Sequence, residues 1–210
     1  MRKNPDSSRI KAIVYDIGNV LIDWDPKHLY RKLIKDEEEI DRFLNDVCHY
    51  TWNLEQDRGR LWADAIAEKI KEFPEHENLI RAYDERWADM VSGPIPGSVE
   101  ILNELRKHYP LYAITNFSRE KWDVATKTFP FLNVFDGVTV SADVKLLKPD
   151  HAIYKHFLET FKLDPATLLF IDDRAENVEA AIECGFNAIQ FTNAETLKED
   201  LKELGLWREE

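Results

Sequence analysis

Three observations predict a doubly wound α/β fold, a Rossmann-like parallel sheet with a helical cap inserted into it. Short apolar runs recur along the chain, and amphipathic helical patterns separate them. Two of these runs end in carboxylates at the start of a loop. One stretch, from about residue 27 to 92, breaks the alternation with several helical windows and no convincing strand. Strand and helix in regular alternation give a parallel sheet with right-handed crossovers.

The first strand is Lys11-Ala12-Ile13-Val14-Tyr15-Asp16, apolar, with β-branched residues, and followed by a loop at Gly18. Within the interruption, Leu61, Trp62, Ala65, Ile66 and Ile70 share one helical stripe, and Leu79, Tyr83, Trp87 and Met90 share another. Gly93-Pro94-Ile95-Pro96-Gly97 closes it as a rigid linker. A helix over 98–109 places Val99, Leu102 and Leu105 on one side, and Leu111–Thr115 follows as a strand. The pattern then predicts strands at Gly137–Ser141, Thr167–Asp172 and Asn187–Phe191. Between them lie helices over Asp150–Phe161, with Ile153, Tyr154, Phe157, Leu158 and Phe161 inward, and over Ala175–Cys184, with Val178, Ala181 and Ile182 inward and Gly185 as its C-cap. The expected division is an α/β core from residues 9–22 and 93–210, a cap from 23–92, and a flexible N-terminal segment, 1–8. An insertion placed there sits beside the carboxyl ends of the strands, where such sheets bind ligands.

The chain has 210 residues, 44% hydrophobic and 32% charged, an ordinary globular composition. With 28 Lys and Arg against 40 Asp and Glu, the net charge of −12 argues against nucleic acid and against anionic membrane as partners. No apolar run reaches membrane-spanning length, and the N-terminus is polar with no signal core. Cys48 and Cys184 form no C-x-x-C pair, so disulfide and zinc frameworks are not expected, and a reducing cytoplasm fits. A monomer or homodimer is expected.

Asp16, Asp172 and Asp173 all end predicted strands of one sheet. A strand-ending Asp alone is most simply a turn or helix cap, and that accounts for one of the adjacent acids at most. Three carboxylates at one edge repel unless a cation joins them. The natural one is Mg²⁺, a hard cation held by a few carboxylates and substrate phosphate oxygens. Lys148, in Lys145-Leu146-Leu147-Lys148-Pro149-Asp150, falls in a loop at the same edge. Three acids and one Lys leave two negative charges, and a divalent cation brings the site to neutrality, where a phosphate dianion can bind. Thr115 and Asn116 end the second core strand and can contact a phosphoryl group.

In order, Tyr15-Asp16-Ile17-Gly18-Asn19-Val20, Ile114-Thr115-Asn116, Lys148-Pro149-Asp150, and Phe170-Ile171-Asp172-Asp173 with Asn177 resemble the four motifs of the haloacid dehalogenase-like hydrolases. The resemblance spans about residues 11–192, and the helical insertion is similar to that family's cap. It implies that Asp16 attacks phosphorus to form an aspartyl-phosphate that water hydrolyses. It further implies Mg²⁺ held by Asp16, the Gly18 carbonyl and Asp173, with Asp172 or Asn177 ligating through water or holding the ligands in place. Thr115, Asn116 and Lys148 would grip the phosphoryl oxygens. The D-x-G-N-V form of the first motif, with its acid pair in the fourth, resembles a subgroup of sugar-phosphate phosphatases.

One position departs from the family. Most of its phosphatases carry a second Asp two residues after the nucleophile, as general acid and base, and here that position is Gly18. Members that cleave carbon–halogen bonds also lack this Asp, because halide leaves without a proton. The acid pair argues the other way, since a metal-free dehalogenase site has no use for that charge. The reading is therefore a Mg²⁺-dependent phosphatase of a small phosphate ester. The alternatives are a metal-free 2-haloacid dehalogenase and a catalytically weak binding or regulatory member. Asp23, Asp25 and His28 are candidate substitutes for the missing acid; a metal-bound water, or a leaving group that needs little protonation such as an anomeric oxygen, would also serve. In the cap, Trp62 and Trp87 read as packing residues and Trp24 and Trp52 as the ones free to face substrate; Asn53–Arg60, polar and with two Arg, reads as a loop over the site or as a solvated turn.

Overall fold

β1 (Ala12–Tyr15) is buried at every residue and lies in the middle of the main sheet. A strand covered on both faces needs an unbroken apolar run, which Ala12-Ile13-Val14-Tyr15 supplies. The computed structural model describes residues 9–207, and the flexible segment expected over 1–8 lies outside them. The other strands are β2 (Ile22–Trp24), β3 (Val91–Pro94), β4 (Leu111–Thr115), β5 (Gly137–Val140), β6 (Leu168–Asp172) and β7 (Asn187–Gln190). The five-stranded sheet runs β5-β4-β1-β6-β7, with every pair parallel. The chain leaves β1 for β4 and β5 on one side, then crosses back to β6 and β7 on the other. The resulting switch point opens a crevice at the carboxyl end of β1.

Five helices, α1 (Pro26–Tyr30), α2 (Glu37–Asp46), α3 (Tyr50–Asp57), α4 (Trp62–Glu72) and α5 (Glu77–Glu85), follow β2 and precede β3. β2 and β3 pair antiparallel, Asp23 opposite Gly93. The Gly93–Gly97 run, expected as a linker, thus begins as a strand. Single-sequence periodicity hides so short a ribbon, because three or four residues carry no full alternation. The core helices are α6 (Ser98–Leu105), α7 (Arg119–Thr128), α8 (Ser141–Val144), α9 (His151–Phe161), α10 (Ala175–Glu183) and α11 (Ala194–Glu203).

Side chains alternate across the sheet. Ala12 and Val14 of β1 join Ile153, Tyr154 and Phe157 of α9 and Ala181 of α10 in one apolar cluster, whereas Ile182, expected inward, is exposed one position further round the α10 helix. Ile13 and Tyr15 face the other side, with Leu102 and Leu105 of α6 and Leu197 and Leu201 of α11. That second cluster continues without a break into the helical segment through Leu29, Tyr30, Phe43 and Tyr83. Among the described residues, no helix is long and apolar enough to cross a membrane.

Candidate active site

Asp16 follows β1 at the carboxyl edge of the sheet and is buried. Its Oδ1 accepts the Ile17 N–H at 2.7 Å and lies 2.9 Å from Lys148 Nζ. The same ammonium donates to Asp172 Oδ2 at 2.6 Å, with the Lys148 side chain 1% exposed. Burial alone would lower the Lys148 pKa, but Asp16 and Asp172 more than reverse it, and the pKa stands above its ordinary value. Asp172 ends β6 and is heavily engaged: Oδ1 also accepts from the Arg174 N–H and from Asn177 Nδ2, both at 2.9 Å.

Asp173 is next in the chain, and among the described residues no cation pairs with it. Burial first, and then the charge of Asp172, push its carboxyl up to about 6. The carboxyl of Asp16 is likewise held above the usual range, by burial against the pull of Lys148. One oxygen from each of Asp16, Asp172 and Asp173 lies within 4.8 Å of the others. A compact, all-oxygen donor set with surplus negative charge fits a hard divalent cation such as Mg²⁺.

The loop after Asp16 is a tight turn in which the Leu21 N–H donates to Ile17 O at 2.9 Å and the Asn19 N–H to Ile22 O at 2.7 Å. Asn19 takes the left-handed conformation at φ 55°, which Asn tolerates better than most residues, and its Oδ1 accepts the Trp24 N–H at 3.0 Å. A Cβ added at Gly18 would meet no atom within 4 Å.

Thr115 and Asn116 behave differently from each other. The Thr115 hydroxyl is buried with no hydrogen-bond partner among the described residues. The Asn116 side chain is already engaged: Nδ2 donates to Lys148 O at 3.0 Å, and Oδ1 accepts the Lys148 N–H at 2.9 Å. It locks the Lys148 loop to the end of β4, so the group Asn116 can turn to a ligand is its main chain.

A cavity of about 120 Å³ joins these strand ends to the helical segment. Asp16, Gly18, Lys148, Asp173 and Asn177 form its floor, and Trp24, Trp62, Trp87 and Phe117 its apolar walls. Trp24 was expected there. Trp52 was too, but it is buried 5.7 Å from the Trp62 ring and 5.2 Å from the Tyr83 ring and is absent from the lining. Trp62 and Trp87, expected only to pack, do both. A helical stripe reports which residues point inward, and it does not separate a packed core from a cavity wall.

Asp23, Asp25 and His28 do not line the cavity. Asp23 is bound to Ser92 and His28, and Asp25 caps α1 by accepting the Lys27 N–H at 2.8 Å. Besides Asp16 and Asp173, the acid that lines it is Asp57, from the segment expected as a loop over the site or a solvated turn. Residues 53–57 of that segment are the C-terminal part of α3, with Asn53, Gln56 and Asp57 all buried. Their i, i+3, i+4 spacing puts a polar stripe on one helix face, and this was the available signal.

The family model for haloacid dehalogenase-like hydrolases matches residues 10–185. A sesquiterpene phosphatase of Aspergillus oryzae is 25% identical over 92% of this chain and 96% of its own. A D-ribitol-5-phosphate phosphatase of Bacteroides thetaiotaomicron is 24% identical over 91% of this chain and 97% of its own. Among solved structures, an Asp-to-Ala mutant of a Bacteroides thetaiotaomicron enzyme of this family, in complex with magnesium and inorganic phosphate, superimposes with a TM-score of 0.70 at 23% identity. That alignment covers 88% of this chain and 95% of the other.

Proposed function

The chain belongs to the haloacid dehalogenase-like hydrolases, and from that premise we propose that it is a Mg²⁺-dependent phosphomonoesterase of a small phosphorylated metabolite, working through an aspartyl-phosphate on Asp16. The observation that carries the reading is the sharing of one buried ammonium by two carboxylates while a third, Asp173, has no cation. A metal-free attack on carbon, as in a dehalogenase, would leave that charge uncompensated. A binding or regulatory protein would need no buried carboxylate in line with the cavity. The phosphatase relatives support the same choice, and the sugar-phosphate and terpenoid names among them fit a small organic ester.

In this reading, Asp16, the Gly18 carbonyl and Asp173 hold Mg²⁺, which when bound neutralises the acids and screens the substrate phosphate. Asp172, with its oxygens taken by Lys148, Asn177 and Arg174, keeps Lys148 in place. Lys148 Nζ, at 2.9 Å from Asp16 Oδ1, sits where it also meets a phosphoryl oxygen on the nucleophile and neutralises charge there. The Thr115 hydroxyl donates to a second phosphoryl oxygen. Residues 23–92 act as a cap whose tryptophans exclude water and set which ester fits.

The test is a panel of phosphate monoesters with and without Mg²⁺, run beside a halide-release assay on 2-haloacids. Phosphate release that disappears on chelation supports the reading. Chelator-insensitive turnover, or chloride release exceeding phosphate release, removes it.

A further inference from the structure

A phosphatase of alkyl esters gains its rate from protonating the alkoxide that leaves, and no side chain at position 18 of the nucleophile's loop can do so. Position 18 has no side chain, and the nearby candidates Asp23, Asp25 and His28 are bound elsewhere. We propose that Asp57, carried on α3 of the inserted segment, is the acid that protonates the leaving oxygen and then the base that activates the attacking water. The inference rests on the phosphatase reading above.

Four features place it there. Asp57 lines the same cavity as Asp16 and Lys148. Its carboxylate is held in one orientation by Asn53 Nδ2, 3.0 Å from Oδ2. Its main chain is fastened to the strand edge, since Ser141 Oγ donates to Asp57 O at 2.6 Å while accepting the Phe117 N–H at 2.9 Å. Two residues on, Gly59 at φ +102° lies so close to the segment after β5 that a Cβ would come within 2.9 Å of Ala142 O. The acid is therefore seated against the sheet that carries the nucleophile, although it belongs to another part of the chain.

Its protonation suits the task. Burial is the main cause that pushes the Asp57 carboxyl up to about 7; the backbone amide of Ser118 pulls it back, and the charge of Asp16 raises it further. The other charged or titratable groups around it are Tyr50 of its own helix, Lys148, Asp173 and Arg174 across the cavity, Lys121 of α7 and Tyr83 of α5. Lys121 is bound to Asp84 and Arg174 to Glu176, so among the described residues no cation pairs with Asp57. A carboxyl near pH 7 can give a proton and take one back.

The proton balance closes. In the first half, the Asp16 carboxylate forms the bond to phosphorus, the ester P–O bond breaks, and the Asp57 proton goes to the leaving alkoxide, giving a neutral alcohol. In the second, the Asp57 carboxylate takes a proton from water, whose oxygen attacks phosphorus. Asp16 is released as carboxylate, with hydrogen phosphate as product and Asp57 protonated again.

The experiment compares p-nitrophenyl phosphate, whose leaving oxygen needs no proton, with 2-phenylethyl phosphate, a primary ester of similar size, at saturating Mg²⁺. For Asp57→Asn, kcat/KM on the alkyl ester should fall by about 10²–10⁴-fold and on the aryl ester by far less. On the aryl ester kcat should drop, with a burst of one nitrophenolate per enzyme, because the second half has lost its base. Adding Gly18→Asp to that variant should restore the alkyl ester, since the loop has room for the new carboxyl. In the wild type, the alkyl-to-aryl ratio of kcat/KM should fall as pH rises from 6 to 9, a measurement that needs no variant to fold. Equal losses on the two esters, no loss on either, or a ratio flat with pH would overturn the role of Asp57 while leaving the phosphatase reading intact. A wild type inert toward both esters would overturn that reading, and the role with it.

Discussion

Lys148 Nζ lies 2.6 Å from Asp172 Oδ2, and neither side chain is more than 1% exposed. Asp172 and its neighbour Asp173 should therefore answer differently to the same substitution. Removing one partner of a buried pair costs about 3–5 kcal/mol, so Asp172→Asn should lower the thermal midpoint sharply. Asp173→Asn removes an unpaired carboxylate; it should leave the midpoint unchanged or higher and raise the Mg²⁺ needed for half-maximal rate. Asp150→Ala is the control, because Asp150 caps α9 by accepting the Ala152 N–H at 2.9 Å. It should cost about 1 kcal/mol and leave the Mg²⁺ requirement alone. Equal Mg²⁺ requirements in the Asp173 and Asp150 variants would move the metal away from Asp173.

Asp16→Asn should abolish turnover and keep the fold. The amide oxygen still accepts the Ile17 N–H, and the shape of the side chain barely changes. Steady-state rates and thermal unfolding check this together. A variant with near-normal turnover would exclude Asp16 as nucleophile.

Gly59→Ala should damage both stability and chemistry. The methyl would press on Ala142 O from a backbone conformation that L residues rarely adopt, costing on the order of 1–3 kcal/mol. Because Asp57 is two residues away on the same turn, the alkyl ester should lose more rate than the aryl ester. A uniform loss on both would confine the effect to stability.

Asp57→Asn should make the protein more stable at pH 8 and no more stable at pH 4. A carboxyl raised to about 7 in the folded state binds its proton more tightly there than in the unfolded chain. Its contribution to stability is therefore complete below about pH 4 and is lost as pH rises through about 7. At about 1.4 kcal/mol per tenfold, the upper limit is roughly 4 kcal/mol, reduced by the lost bond to Asn53. Thermal midpoints of the two proteins at both pH values decide it; a variant equally stable or weaker at pH 8 would show that Asp57 is not buried as a costly charge.

The strand ends were legible in the sequence because a buried parallel strand must be an apolar run, and a carboxylate that stops one announces an edge. Asp16, Asp172 and Asp173 follow from that rule, Lys148 from the need for a cation in a loop at the same edge, and the structure brings the four together. The engagement of Asn116 with Lys148 was not legible, since it joins two loops 32 residues apart with no spacing to betray it. Asp57 was missed for a different reason. Gln56-Asp57-Arg58-Gly59-Arg60 has the composition of a solvated turn, while the tertiary contacts that seat it, Ser141 Oγ on Asp57 O and Gly59 against Ala142, join residues more than 80 positions apart. The β2–β3 ribbon was too short for periodicity to register.

That ribbon is also a seam. Because Ile22 pairs with Pro94 and Asp23 with Gly93, the chain leaves and re-enters side by side, and the register of β1 with β4 and β6 is set outside the stretch between them. A different insertion can be grafted at this point without re-threading the sheet. The nucleophile, the ammonium and the acid pair would stay behind, while the aromatic walls and Asp57 would leave with the old segment. With the roles proposed above, what the enzyme recognises and where its proton comes from would thus be exchanged together, apart from the machinery that breaks the bond.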